Sequence, residues 1–177
     1  FKARAERAAL AFRRELKLAP SDPLRPELLA AHLCITLWKP REIPGLPTDV
    51  INQLTEIDPW GWSGVSLTVD GSGVIIYNPR KSPGRRASDI THELAHFILD
   101  HQPATIILSA DLDLGMRTFD AKQEDEANWL AWCLLLPRDA LVRAKIQRLS
   151  VSEIAERYGV TQTVVAMRMD LTGVNSQ

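Results

Sequence analysis

Residues 92–96 read His92-Glu93-Leu94-Ala95-His96, within a stretch that also carries Ile90, Phe97, Ile98 and Leu99. That apolar spacing predicts a largely buried helix. Two histidines four positions apart share one helical face, so their imidazoles can converge on one ion. Neutral imidazole suits Zn²⁺, with Zn–N bonds of about 2.0–2.1 Å. Glu93 directly follows the first histidine and can reach the open position of such a metal, where it can take a proton from water. The bland alternative is a surface helix with two unrelated histidines. Only four histidines occur in the chain, which makes a chance match improbable. Two histidines and a glutamate are also costly to bury unless paired or bound to metal.

A catalytic zinc needs a third protein ligand. His101 follows on the same stretch, but a third histidine of the H-E-x-x-H-x-x-G-x-x-H kind would stand one position later, with a glycine between. His101 is therefore read as a cation at the helix end, where the dipole favours it. A second helical pattern, over 121–136, offers Glu124, Asp125 and Glu126. Glu124 and Asn128 lie one turn apart on a shared face, an arrangement that supplies a ligand and a group to orient a ligating histidine. Glu126 lies about 200° around the helix from Glu124, so the two cannot face one ion. Glu126 is the fallback ligand. Otherwise Asp125 and Glu126 complement the helix N-terminus.

The sequence flanking the H-E-x-x-H helix predicts a mixed architecture. Ser82-Pro83 caps that helix, which is expected to run to about His101 and stop at Pro103. Before it, Val65–Val69 and Val74–Tyr77 flank Asp70-Gly71-Ser72-Gly73, a hairpin pattern. Its edge could pair with an extended substrate, and Tyr77 could donate to an oxyanion. In the loop 58–63, Trp60 and Trp62 are read as anchors packed on the core. Earlier still come an amphipathic helix over 1–18 with Leu10, Ala11, Arg14 and Leu18 at helical spacing, a short helix near 26–32, a β-leaning run Cys34–Trp38, and a helix near 48–57. His32 is read as a partly buried structural histidine. Residues 104–120 look loop-like, and a further helix covers 138–149.

Residues 151–170 resemble a helix-turn-helix, with Gly159 at the turn and Thr161 capping the second helix. The second helix offers Arg168, Gln162 and Thr163. Phosphate contacts usually need several basic residues, so direct DNA binding is not expected. A role in recognising a DNA-binding partner fits better.

Together, H-E-L-A-H-F-I-L-D-H and the later E-D-E-A-N-W-L-A-W-C-L-L-L-P resemble the ImmA/IrrE family of zinc metallopeptidases. The family pattern is a His-Glu helix followed by E-x-x-A-N/D-x-F-A-x-x-L-L-x-P. Ala127, Asn128, Leu134, Leu135 and Pro137 match it, and Leu130 replaces the usual Phe. The resemblance implies metal ligands His92, His96 and Glu124, with Glu93 as general base. It implies an α+β fold, mainly helical with a small antiparallel sheet, a zincin-like helix pair, and a C-terminal helix-turn-helix-like segment. The implied division is a metallopeptidase domain over 1–150, with 151–177 packed on it. The implied activity is cleavage of a helix-turn-helix transcriptional repressor, derepressing a mobile element or stress regulon, with Zn²⁺ or Mn²⁺ as cofactor. The other class is a non-catalytic regulatory or binding module on the same scaffold.

Composition agrees with a globular protein. The 177 residues are 45% hydrophobic and 24% charged, with a net charge of −1. That balance excludes a wholly disordered chain and gives no global charge for nucleic acid or membrane surfaces. Cys34 and Cys133 sit in apolar runs and are read as buried lone thiols of a reducing compartment. No membrane span or signal-peptide pattern is visible, so a cytoplasmic location is expected. The chain starts at Phe1 rather than Met, which suggests a cut or unseen N-terminus.

Overall fold

The computed structural model describes residues 1–101, 106–107, 116–117 and 120–174. In chain order the elements are α1 (Lys2–Glu15), α2 (Pro26–His32), β1 (Thr36–Trp38) and α3 (Thr48–Asn52), which runs into a π turn over Gln53–Ile57. Then come β2 (Gly64–Val69), β3 (Ser72–Tyr77), α4 (Pro83–Ile98), β4 (Ile106–Ile107) and β5 (Met116–Arg117). The described residues close with four helices, α5 (Ala121–Leu135), α6 (Arg138–Ile146), α7 (Val151–Tyr158) and α8 (Gln162–Thr172). The fold is α+β and mainly helical. No described helix is long and apolar enough to cross a membrane.

The hairpin closes through two residues. Asp70 and Gly71 both have positive φ, at 48° and 77°, the requirement of a tight primed turn. Ser72 and Gly73 therefore belong to β3 rather than to the turn. The sheet is mixed: β1 pairs parallel to β3, from Thr36 opposite Val74 to Trp38 opposite Ile76. This parallel strand adds to the antiparallel pair expected from the sequence. Parallel pairing requires a crossover, which the segment carrying α3 and β2 supplies. The central strand β3 buries Val74 and Ile75, as a strand covered on both edges can.

One core joins α1, α2, β3, α4 and α5. The face of α1 that enters it is Ala5, Ala9 and Arg13, not the expected Leu10, Ala11 and Arg14. Small alanines let α1 approach α5 closely. Arg13 is fully buried because its guanidinium donates to three carbonyls, those of Leu134 (2.8 Å), Asp22 (3.1 Å) and Ala9 (3.2 Å). Burial still lowers its pKa to about 10.

A second core joins the end of α5 with α6, α7 and α8. Ser150 and Glu153 form a capping box at α7, Gly159 ends it with φ 63°, and Thr161 Oγ1 accepts from Val164 N–H at 3.3 Å. Gly159 and Thr161 are the turn and cap positions read from the sequence. Arg168 on α8 is not available to phosphate. It is fully buried, and it donates from Nε to the Leu136 carbonyl (3.0 Å) and from Nη2 to Glu6 (2.6 Å).

Other expectations change. Cys34 is exposed with φ 56°, so β1 starts at Thr36, whereas Cys133 is buried and its thiol is pushed up to about 12. His32 lies at the surface, its Nε2 2.9 Å from Glu15 Oε2. Trp62 is the expected anchor, donating Nε1–H to the Leu54 carbonyl at 2.9 Å, but Trp60 is 67% exposed. Most of the loop expected at 104–120 lies outside the described residues. Within it β4 and β5 pair antiparallel.

Candidate metal centre

The site forms where α4 packs against α5. Ser82 Oγ accepts from Arg85 N–H and starts α4, and Asp120 starts α5 by accepting from the N–H groups of Lys122 and Gln123. Apolar Ile90, Leu94, Ala127, Leu130, Ala131 and Leu134 bind the two helices into one core. That packing turns the His92–His96 face of α4 toward the first turns of α5.

Three donor groups meet there. His92 Nε2 lies 3.0 Å from His96 Nε2 and 3.2 Å from Glu124 Oε2, and His96 Nε2 lies 3.7 Å from Glu124 Oε1. One atom from each residue can be chosen so that all lie within 4.8 Å of one another. A tetrahedral zinc with bonds of about 2.0–2.1 Å separates its ligand atoms by about 3.3–3.4 Å. The three contact distances bracket that value, so the donor set fits such an ion. All three side chains are partly accessible.

The amide of Asn128 sits behind His92, with Oδ1 3.0 Å from Nδ1. An amide oxygen only accepts, so Nδ1 donates to it, and Nε2 is the nitrogen that faces His96 and Glu124. Glu93 is on the neighbouring side of α4 and is 4% exposed. Ser66 on β2 donates its hydroxyl to Glu93 Oε2 at 2.5 Å. A Cβ at Gly64 would stand 3.6 Å from Glu93 Cγ, so β2 lies directly against this side chain.

The family model of the IrrE N-terminal-like domain matches residues 54–170, a span that contains all of these residues. The chain belongs to that family. The IrrE-like match points to a metallopeptidase, and it runs from the π turn after α3 into α8. Among solved structures, a transcriptional regulator from Mycobacterium tuberculosis is similar, with a TM-score of 0.56 and 18% identity. The likeness covers 94% of this chain and 46% of that one, so this chain spans less than half of the neighbour. At that identity the likeness is one of fold. No curated protein matches the sequence.

The remaining acids and histidine of this IrrE-like site divide differently from the sequence reading. Asp125 is exposed. Glu126 does not join the His92–His96–Glu124 group, and its Oε2 lies 3.6 Å from His101 Nε2. His101 stands at the end of α4, as expected, but not on the open surface. It is folded back beneath His96, 7% exposed by side chain, with the two Nδ1 atoms 3.0 Å apart. Ser66 escaped the sequence reading altogether. It is an ordinary polar residue in an alternating strand, 27 positions from Glu93, with no local signal to mark it.

Proposed function

We propose that this chain is a zinc-dependent endopeptidase whose substrate is a helix-turn-helix transcriptional repressor. The observation that carries the reading is the convergence of His92, His96 and Glu124 beside the buried Glu93. Bound there, zinc would polarise a scissile carbonyl and make water a nucleophile near neutral pH. Two imidazoles favour zinc over Mn²⁺, which prefers all-oxygen sites. Asn128 holds His92 in the tautomer that offers Nε2 to a metal. Glu93 takes the proton of the attacking water and delivers it to the departing amine as the peptide bond breaks. The Ser66 hydroxyl holds the Glu93 carboxylate in one orientation. Among the described residues β2 pairs only with β3, which leaves its outer edge as the place for an extended substrate segment running past Glu93.

The repressor substrate rests on family resemblance. The test is incubation of the zinc-loaded protein with the helix-turn-helix repressor encoded beside its gene, read by mass spectrometry. Cleavage by the wild type and not by Glu93→Gln is expected. Equal cleavage by both, or none by the wild type, overturns the reading. The fold shared with a mycobacterial transcriptional regulator favours a second reading, a non-catalytic module acting through protein contacts. In its DNA-binding form this reading is opposed by the burial of Arg168.

A further inference from the structure

We propose that His101 and Glu126 form a positioning pair that fixes the tautomer and orientation of His96 as a metal ligand. The inference rests on the metal reading above and extends it to two residues which that reading does not use.

The backbone shows how His101 reaches its place. After Ile98, Asp100 adopts φ 52°, and the N–H groups of Asp100 and His101 bond to the carbonyls of Phe97 (3.2 Å) and His96 (3.0 Å). This is the paired hydrogen-bond pattern of a Schellman helix end. Such an end commonly brings an apolar residue back against the last turn. Here that place is taken by His101, and its contact is with His96. Glycine usually occupies the left-handed position, and Asp100 takes it at some conformational cost. A plain helix end would be satisfied by glycine and leucine at these two places.

The proton positions then follow in sequence. A metal-ligating Nε2 carries no proton, so the His96 proton is on Nδ1. Nδ1 of His101 stands 3.0 Å away and must accept. His101 then carries its own proton on Nε2, which faces Glu126 Oε2 at 3.6 Å. Every group in the row from His96 through His101 to Glu126 has one consistent role. His92 has the equivalent support from Asn128. Each ligating histidine thus has its outer nitrogen held, and the two supports reach α4 by different routes. Outer partners of this kind typically govern metal affinity by ~10–100-fold.

Zinc affinity, measured by competition with a chromophoric chelator, tests the pair together with the unfolding temperature of the metal-free protein. His101→Leu suits the apolar place in the helix end, so the metal-free protein should unfold near the wild-type temperature. Zinc affinity should fall ~10–100-fold. His101→Asn, whose Oδ1 can accept the His96 proton, should recover much of that loss. Nitrogen-15 NMR of the zinc-loaded wild type should show His96 protonated at Nδ1 and His101 at Nε2. Unchanged zinc affinity in His101→Leu, or a His101 proton on Nδ1, overturns the proposal while leaving the metal centre standing. Wild-type protein that binds no zinc, or binds it equally after His92→Ala, overturns the metal reading itself and this proposal with it.

Discussion

Asn128 Oδ1 and His92 Nδ1 lie 3.0 Å apart across the packed faces of α4 and α5. Glu124, one turn before Asn128, faces the opposite ring nitrogen of the same histidine at 3.2 Å. A single face of α5 therefore grips both edges of one imidazole. Asn128→Ala should weaken zinc binding ~10–100-fold, as loss of such outer partners does. The metal-free protein should melt close to the wild-type temperature, because the amide contributes little packing. Chelator competition and calorimetry measure the two, and an unchanged zinc affinity would remove Asn128 from the centre.

Glu93 is buried, tied to Ser66, and absent from the group of three donors. Glu93→Gln keeps the shape and a hydrogen-bond acceptor for Ser66. Proteolysis should drop ~10²–10⁴-fold, the usual contribution of a general base. Zinc stoichiometry should stay at the wild-type value. Loss of the metal along with activity would show Glu93 to be part of its binding.

Gly84 sits in the first turn of α4 against the turn of the helix-turn-helix-like segment. A Cβ there would stand 2.8 Å from the Val160 carbonyl carbon and 3.0 Å from Thr161 N, both backbone atoms that cannot swing aside. Gly84→Ala should destabilise the protein by about 1–3 kcal/mol through overpacking, despite the better helix propensity of alanine. Denaturant unfolding reads the change. A variant as stable as wild type would mean that the segment over α7 and α8 can shift away from α4 without cost.

Asp89, one turn before His92, pairs through Oδ1 with Arg85 Nε at 2.9 Å, while Oδ2 is buried with no partner. Burial pushes its carboxyl above the ordinary 3.8, against the opposing pull of Arg85, Lys81 and His92. The folded state thus holds the Asp89 proton more tightly than the unfolded state does. Its contribution to stability is fully present below the unfolded value and is lost as pH rises through the folded one. Asp89→Asn cannot ionise, so its melting temperature relative to wild type should improve between about pH 3 and about pH 7. A relative melting temperature that falls over the same range would mean that the Arg85 pairing outweighs the burial.

Local rules carry most of what was legible in the sequence. The i, i+4 spacing of His92 and His96 already sets two imidazoles on one face, because helix geometry is decided within a turn. The Asp70-Gly71 turn, the Ser82 start of α4, and Gly159 with Thr161 are short-range signals of the same sort. Glu124 was separable from Glu126 by helical angle once Asn128 was taken as its companion. The packing of α5 on α4 then gave each acid a histidine of its own, Glu124 at His92 and His96, Glu126 at His101.

What the chain order could not show depends on partners far away in sequence. Arg13 and Arg168 look like surface charge in any one-dimensional pattern. They are buried because carbonyls of Leu134 and Leu136, and the carboxylate of Glu6, happen to meet them in the folded molecule. The parallel place of β1 beside β3 follows from a crossover rather than from strand composition. Ser66 reaches Glu93 only because β2 lies against α4. The residues of the H-E-x-x-H helix thus declare their chemistry through a period of one helical turn. The groups that satisfy and orient them are chosen by tertiary packing, since a buried polar atom must find its partner wherever the fold supplies one.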